Sequence, residues 1–175
     1  MRSMTKRSGA FTLIEVLMVI ALILILISLA LAGASALTQG AQRKMALTQA
    51  NVLVNAIKTY KTTYGKWPGQ DQDKHDVVYN TNASLVILAL TNNPRNVQML
   101  DSSAGTITNG TILDPWYSAF VVAIDENDDG VLSFCCTNAL YPGVVLTAAV
   151  NETVAVISWG KNPFKPGDRV YSWQK

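Results

Sequence analysis

The chain has 175 residues, room for one ordinary domain and an extra element but hardly for two. Hydrophobic residues make up 49% and charged residues only 15%, against roughly a quarter charged in an average soluble protein. A net charge of +2 without any block of like charges excludes the electrostatic footprint of a nucleic-acid binder.

The apolar excess is concentrated near the N-terminus. Val16–Ala34 is apolar apart from Ser28, and as a helix it spans about 28 Å, close to the hydrocarbon thickness of a bilayer. Arg2, Lys6 and Arg7 precede it and no charge lies inside it, which predicts a transmembrane segment over about 16–36, a cytoplasmic N-terminus and an exported C-terminal part. An ordinary secretory signal peptide competes with this reading. Ala30-Leu31-Ala32 and Ala34-Ser35-Ala36 offer small-x-small cleavage sites. Against it stand an apolar core longer than the roughly 7–15 residues of a signal peptide and the placement of Glu15 at its front.

Gly9-Ala10-Phe11-Thr12-Leu13-Ile14-Glu15-Val16-Leu17 resembles the prepilin signature, in which a short basic leader precedes a mature chain opening FTLIE. The resemblance implies a cut by prepilin peptidase on the cytoplasmic side, between Ala10 and Phe11, and N-methylation of Phe11. The family usually has glycine before the cut; here Gly9 stands one position earlier and Ala10 is at the site. A carboxylate at Glu15 suits the first turn of a helix on dipole grounds alone. By resemblance Glu15, fifth in the mature chain, also pairs with the Phe11 amine of a neighbouring subunit. A charge that only one axial stagger neutralises then sets the register of assembly.

Beyond Leu37 the pattern becomes amphipathic. Ala46, Ala50, Leu53, Ile57, Tyr60 and Tyr64 recur at spacings of four and three, with Gln42, Gln49, Lys58 and Lys61 mostly elsewhere. A continuous helix from Phe11 to Tyr64 is about 80 Å long. Gly33 and Gly40 either allow a bend or are simply tolerated. Gly65-Lys66-Trp67-Pro68-Gly69 ends the helix. Tyr60, Tyr64, Gly65, Trp67 and Pro68 resemble the aromatic helix end and G-x-[YW]-P of pseudopilins, with Trp67 as a packing anchor.

The loop Gln70–Asn80, with Asp71, Asp73, Lys74, His75 and Asp76, reads as solvated rather than as a metal or proton site. Asn82–Leu90 is a short helix started by Thr81 or Asn82 and ended by Thr91-Asn92-Asn93-Pro94. Strands follow as successive hairpins: Thr106–Leu113 around Asn109-Gly110, Ala119–Ile124 and Val131–Phe134 around an acidic turn, and Val144–Val150 and Thr153–Trp159 around Asn151-Glu152. The fold class is α+β, a long N-terminal helix with a membrane-inserted and an amphipathic half packed on a small antiparallel sheet, pilin-like by resemblance. Asp114-Pro115-Trp116, with Tyr117 where the motif has glycine and Phe120 at its aromatic position, resembles a motif of major pseudopilins. Ile157–Gly160 through Asp168–Trp173 resembles their closing loop, though with fewer Asp and Gly.

Catalytic motifs are absent, and the single histidine limits Ser/His or Cys/His chemistry, so the chain reads as no enzyme. Cys135 and Cys136 are adjacent, which on a strand sends their side chains to opposite faces and strains a bond between them; two thiols or an intermolecular link remain. Asp125-Glu126-Asn127-Asp128-Asp129-Gly130-Val131-Leu132-Ser133 fits an EF-hand calcium loop through Asp125, Asn127, Asp129, Gly130 and Ser133, with the Val131 carbonyl at position seven. Position twelve is Cys136 where a bidentate Glu belongs, so another segment or water must complete the shell, with Asp128, Glu126 or Asp168 able to contribute if the fold brings one inward; otherwise the segment is a polar turn. Major pseudopilins as a family bind calcium through the closing loop instead.

The expected organisation is a leader over 1–10, a helix over 11–64 and an exported head over 65–175. By resemblance the function is structural: a subunit of a type II secretion pseudopilus that helps export folded proteins. Its partners are then copies of itself, other pseudopilins, prepilin peptidase, the inner-membrane secretion platform and the membrane. The expected location is the bacterial inner membrane, head periplasmic, and then the fibre. A surface pilin for adhesion, motility or DNA uptake is the alternative within the family, and a secreted binding protein the alternative outside it.

Overall fold

A computed structural model describes residues 11–69, 75–80, 83–100, 104–138 and 140–174, without the side chains of 30–36. The leader over 1–10, Ala10 included, lies outside the described residues, as do Asp71, Asp73, Lys74 and the expected helix starters Thr81 and Asn82. The chain divides into two compact units, Met1–Gly40 and Ala41–Lys175. One helix, α1 (Leu13–Tyr64), contributes residues to both.

In the first unit every described side chain from Phe11 to Leu29 is exposed, on all sides of the helix. Among the described residues no helix is long and apolar enough to cross a membrane. The span expected over 16–36 runs into the side chains of 30–36, which lie outside the described residues.

In the second unit the helix presents one stripe inward. Ala46, Ala50, Leu53, Ala56, Ile57 and Tyr60 are buried, the spacing that 3.6 residues per turn requires. Thr48, Thr59, Thr62 and Thr63 each return a hydroxyl hydrogen bond to the carbonyl four residues back. After the helix come β1 (Val77–Tyr79), α2 (Ala83–Thr91), β2 (Thr106–Thr108), β3 (Thr111–Leu113), β4 (Val121–Ile124), β5 (Leu132–Thr137), β6 (Val145–Val150), β7 (Val154–Ser158), a 3-10 turn (Pro166–Asp168) and β8 (Val170–Tyr171).

The four-stranded antiparallel sheet runs β1-β4-β7-β8, and two two-stranded ribbons pair β2 with β3 and β5 with β6. The expected hairpin around Asn109-Gly110 forms, with both turn residues at positive φ. The other two expected hairpins are corrected. β4 pairs with β1 and β7, not β5; β6 pairs with β5, not β7. The reason lies in the patterns of burial. β4 and β7 are buried at every position and apolar at all but Ser158, so they need cover on both faces. β5 alternates, with Leu132, Phe134 and Cys136 buried between exposed neighbours, so it lays one face over the sheet instead of joining it.

Three layers result. Val122, Ile124, Val154 and Val156 pack with Leu53, Ile57 and Tyr60 of α1 and Val86, Ile87 and Leu90 of α2. On the opposite face Val121, Ala123, Ala155 and Ile157 pack with Leu132, Phe134 and Cys136. Trp67 is buried in the helix-side core with the Lys61 amine 3.9 Å over its ring, the packing role its sequence position implies.

Candidate functional site

Two places carry the residues singled out by sequence. At the start of α1, Glu15 and Thr12 form a reciprocal cap. The Thr12 backbone N–H and hydroxyl donate to Glu15 Oε2 at 2.9 and 2.8 Å, and the Glu15 N–H reaches back to Thr12 Oγ1 at 3.4 Å. Thr-x-x-Glu is the capping-box spacing, so Thr12 is a participant that the sequence reading missed although its signal is present. Both bonds to the carboxylate fall on its Oε2. Phe11 stands at the head of this turn and is 82% exposed.

The second place is the acidic loop joining β4 to β5. Asp125 is fully buried and its Oδ2 accepts the Gly130 N–H at 2.9 Å. Asn127 Oδ1 accepts the Asp129 N–H at 3.2 Å, and Asp129 Oδ1 accepts the Val131 N–H at 2.8 Å. The Asn127 amide also donates to Asp129 Oδ2 at 3.0 Å. Gly130 has φ +80°, a left-handed conformation that a side chain would strain. Asp128 faces the other way and pairs with Lys61. The three oxygen-bearing side chains thus bend the loop around its own N–H groups.

Ser133 sits differently from what its loop position suggests. Its neighbours Leu132 and Phe134 point into the core, so its own side chain is exposed, and its backbone N–H donates to Asp76 Oδ2 at 2.7 Å. Glu126 is buried and accepts the Tyr79 hydroxyl at 3.0 Å. Asp168 lies in the 3-10 turn of the closing loop, which arginines hold together. Arg43 donates to the carbonyls of Gly167 and Arg169, and Arg169 to that of Pro163. A Cβ on Gly160 would meet the Asp168 carbonyl oxygen at 1.9 Å, so only glycine fits there. Among the described residues no three His, Cys, Asp or Glu side chains converge as a metal site would need.

The Asp-Pro-Trp segment has a structural role. Asp114 Oδ1 accepts the N–H groups of Trp116 and Ser118 at 2.9 and 2.8 Å. Burial pushes the Asp114 carboxyl above the ordinary aspartate range, against the opposing pull of its hydrogen bonds to Ser158, Ser118 and Trp116. Tyr117, at the position where the motif has glycine, has φ 63° and is 82% exposed. Cys135 is exposed and Cys136 buried, both as thiols; desolvation and the adjacent Cys135 push Cys136 up to about 11.

Residues 5–31 match the prokaryotic N-terminal methylation motif. The N-terminal segment therefore carries a type IV pilin-like prepilin signal, and its match covers Ala10, Phe11 and Glu15. Neither the curated proteins nor the solved structures contain a match to the chain.

Proposed function

We propose that the chain is a structural subunit of a type II secretion pseudopilus, cut after Ala10, methylated at Phe11, and assembled through its N-terminal helix. The observation that carries this reading is the methylation motif over 5–31 set on a helix whose apolar side chains are exposed on all sides. A helix apolar all round needs an apolar environment. The bilayer supplies it first, with the segment over 16–36 inserted and the head on the periplasmic side. Neighbouring copies supply it afterwards, in the fibre. Glu15 then meets the Phe11 amine of the next subunit, a pairing with strong register preference because a lone charge among apolar helices is costly. The domains on this reading are a leader over 1–10, a helix over 11–64 and a head over 65–175. The secretion role, as against a surface pilus, is supported by the resemblance of residues 60–68 and 114–120 to pseudopilin patterns.

Intact mass and N-terminal analysis of the membrane-derived protein test the processing. A mature chain starting at a methylated Phe11 is expected; a start at Gly33 or Leu37 overturns the proposal. Deletion of the gene separates the two assemblies. Exported enzymes accumulating in the periplasm support the pseudopilus, whereas normal secretion with lost motility or DNA uptake overturns that part and favours a pilus.

A further inference from the structure

We propose that the loop between β4 and β5 binds one calcium ion, and that Asp76, from the segment leading into β1, supplies the carboxylate that the loop lacks at its twelfth position. β1 and β4 are antiparallel with Val77 opposite Ile124, so one further step of the same register sets Asp76 opposite Asp125. Directly opposed residues share a face of the sheet, with Cβ atoms about 4.5–5.5 Å apart. That face is the one covered by β5, because Val121 and Ala123, four and two residues before Asp125, pack against Leu132 and Phe134.

Both carboxylates are held in the same way. Asp125 Oδ2 accepts the Gly130 N–H and Asp76 Oδ2 accepts the Ser133 N–H. In each the other oxygen, Oδ1, is buried without a hydrogen-bond partner. Opposed like charges repel, and buried acceptors without donors are unfavourable, so the arrangement calls for a positive species between them. A hard divalent cation satisfies both oxygens and suits the remaining donors, which are all oxygen: Asn127, Asp129 and the Val131 carbonyl.

Calcium fits better than magnesium because it accepts six to eight oxygens at about 2.3–2.6 Å in irregular geometry, backbone carbonyls among them. The site is not closed. The Asn127 amide holds Asp129 Oδ2, and among the described residues no three acidic groups converge. Binding must exchange that hydrogen bond for the cation, which predicts the weak end of the range, a Kd of roughly 10⁻⁴–10⁻³ M.

The test is calcium titration of the full-length processed protein in detergent, by equilibrium binding and by thermal unfolding. One calcium per chain is expected, with a Tm that rises with calcium and returns in chelator, and a much smaller effect of magnesium. Asp125→Asn and Asp76→Asn should each weaken binding at least tenfold. Asp128→Asn removes the same charge from the same loop but faces Lys61, and should bind as the parent does, as should Asp168→Asn. Asparagine at 76 keeps an acceptor for the Ser133 N–H, so that variant should melt in chelator no lower than the parent. If it does not fold, Asp129→Asn on the exposed side of the loop takes its place, with the same expected loss. Three results overturn the proposal: no saturable binding, parental binding by Asp76→Asn (or by Asp129→Asn in its place), or loss of binding with Asp168→Asn, which would move the site to the closing loop.

Discussion

The hydroxyl of Ser158 donates a 2.5 Å hydrogen bond to Asp114 Oδ2, and both residues are buried. This bond ties the Asp-Pro-Trp turn to the end of β7. Ser158→Ala leaves a buried carboxylate oxygen without its donor, and a loss of about 1–3 kcal/mol is expected in denaturant unfolding. The pH dependence has a definite sign. The Asp114 carboxyl is raised in the folded protein, so the fold binds its proton more tightly than the unfolded chain does. Its contribution to stability is fully present below the ordinary aspartate value and is lost as pH rises through the folded value. Asp114→Asn should therefore improve relative to the parent as pH rises across that window; a constant difference would exclude the titration.

The two cysteines should react as different species. Alternation along β5 exposes Cys135 and buries Cys136, whose thiol stays protonated until about pH 11. Alkylation of the folded protein near neutral pH should modify Cys135 alone, and both only after unfolding. Rapid double labelling would show that the β5–β6 ribbon does not cover the sheet.

Tyr117 adopts φ 63°, in the left-handed region that favours glycine. A side chain in the left-handed region carries a steric cost that glycine avoids, offset in part by glycine's larger unfolded-state entropy. Because Tyr117 is 82% exposed and little packing is lost, Tyr117→Gly should stabilise the head by roughly 0.5–1 kcal/mol in thermal or denaturant unfolding. Destabilisation would mean that the ring contributes packing in the assembled state of the sample measured.

Capping and assembly at Glu15 can be separated. Glu15→Gln keeps an acceptor for the Thr12 N–H and hydroxyl, since glutamine also completes a capping box, but removes the charge. It should insert and fold normally yet lower fibre yield. Thr12→Ala should weaken the helix start by about 0.5–2 kcal/mol while leaving the charge of the proposed pairing with Phe11. Equal fibre yields from Glu15→Gln and the parent would sink the charge-pairing role.

What was legible in sequence follows from what local patterns encode. The amphipathic face at Ala46, Ala50, Leu53 and Ile57 could be read because helical periodicity is local. The partners of β4 could not, because a run buried on both faces announces only that it needs cover and not which strands supply it. Asp76 escaped for the same reason. It reads, in sequence, as part of a solvated loop, yet its Oδ2 accepts the Ser133 N–H at 2.7 Å, a contact that only the placement of β5 beside β1 creates. Thr12, by contrast, was legible in the Thr-x-x-Glu spacing.

The order of strands in the central sheet has a consequence in time. β4 finds its neighbours at residues 77–79 on one side and 154–158 on the other, and β8 at Val170–Tyr171 completes the layer. All these pairings close long loops, which slows folding relative to local contacts. A chain emerging N-terminus first has its long helix available early, but β7, the last of the strands that cover the inner stripe of that helix, is complete only when Ser158 has appeared. During that interval the stripe from Ala50 to Tyr60 lacks the sheet strands that bury it, and apolar surface left open in this way favours aggregation.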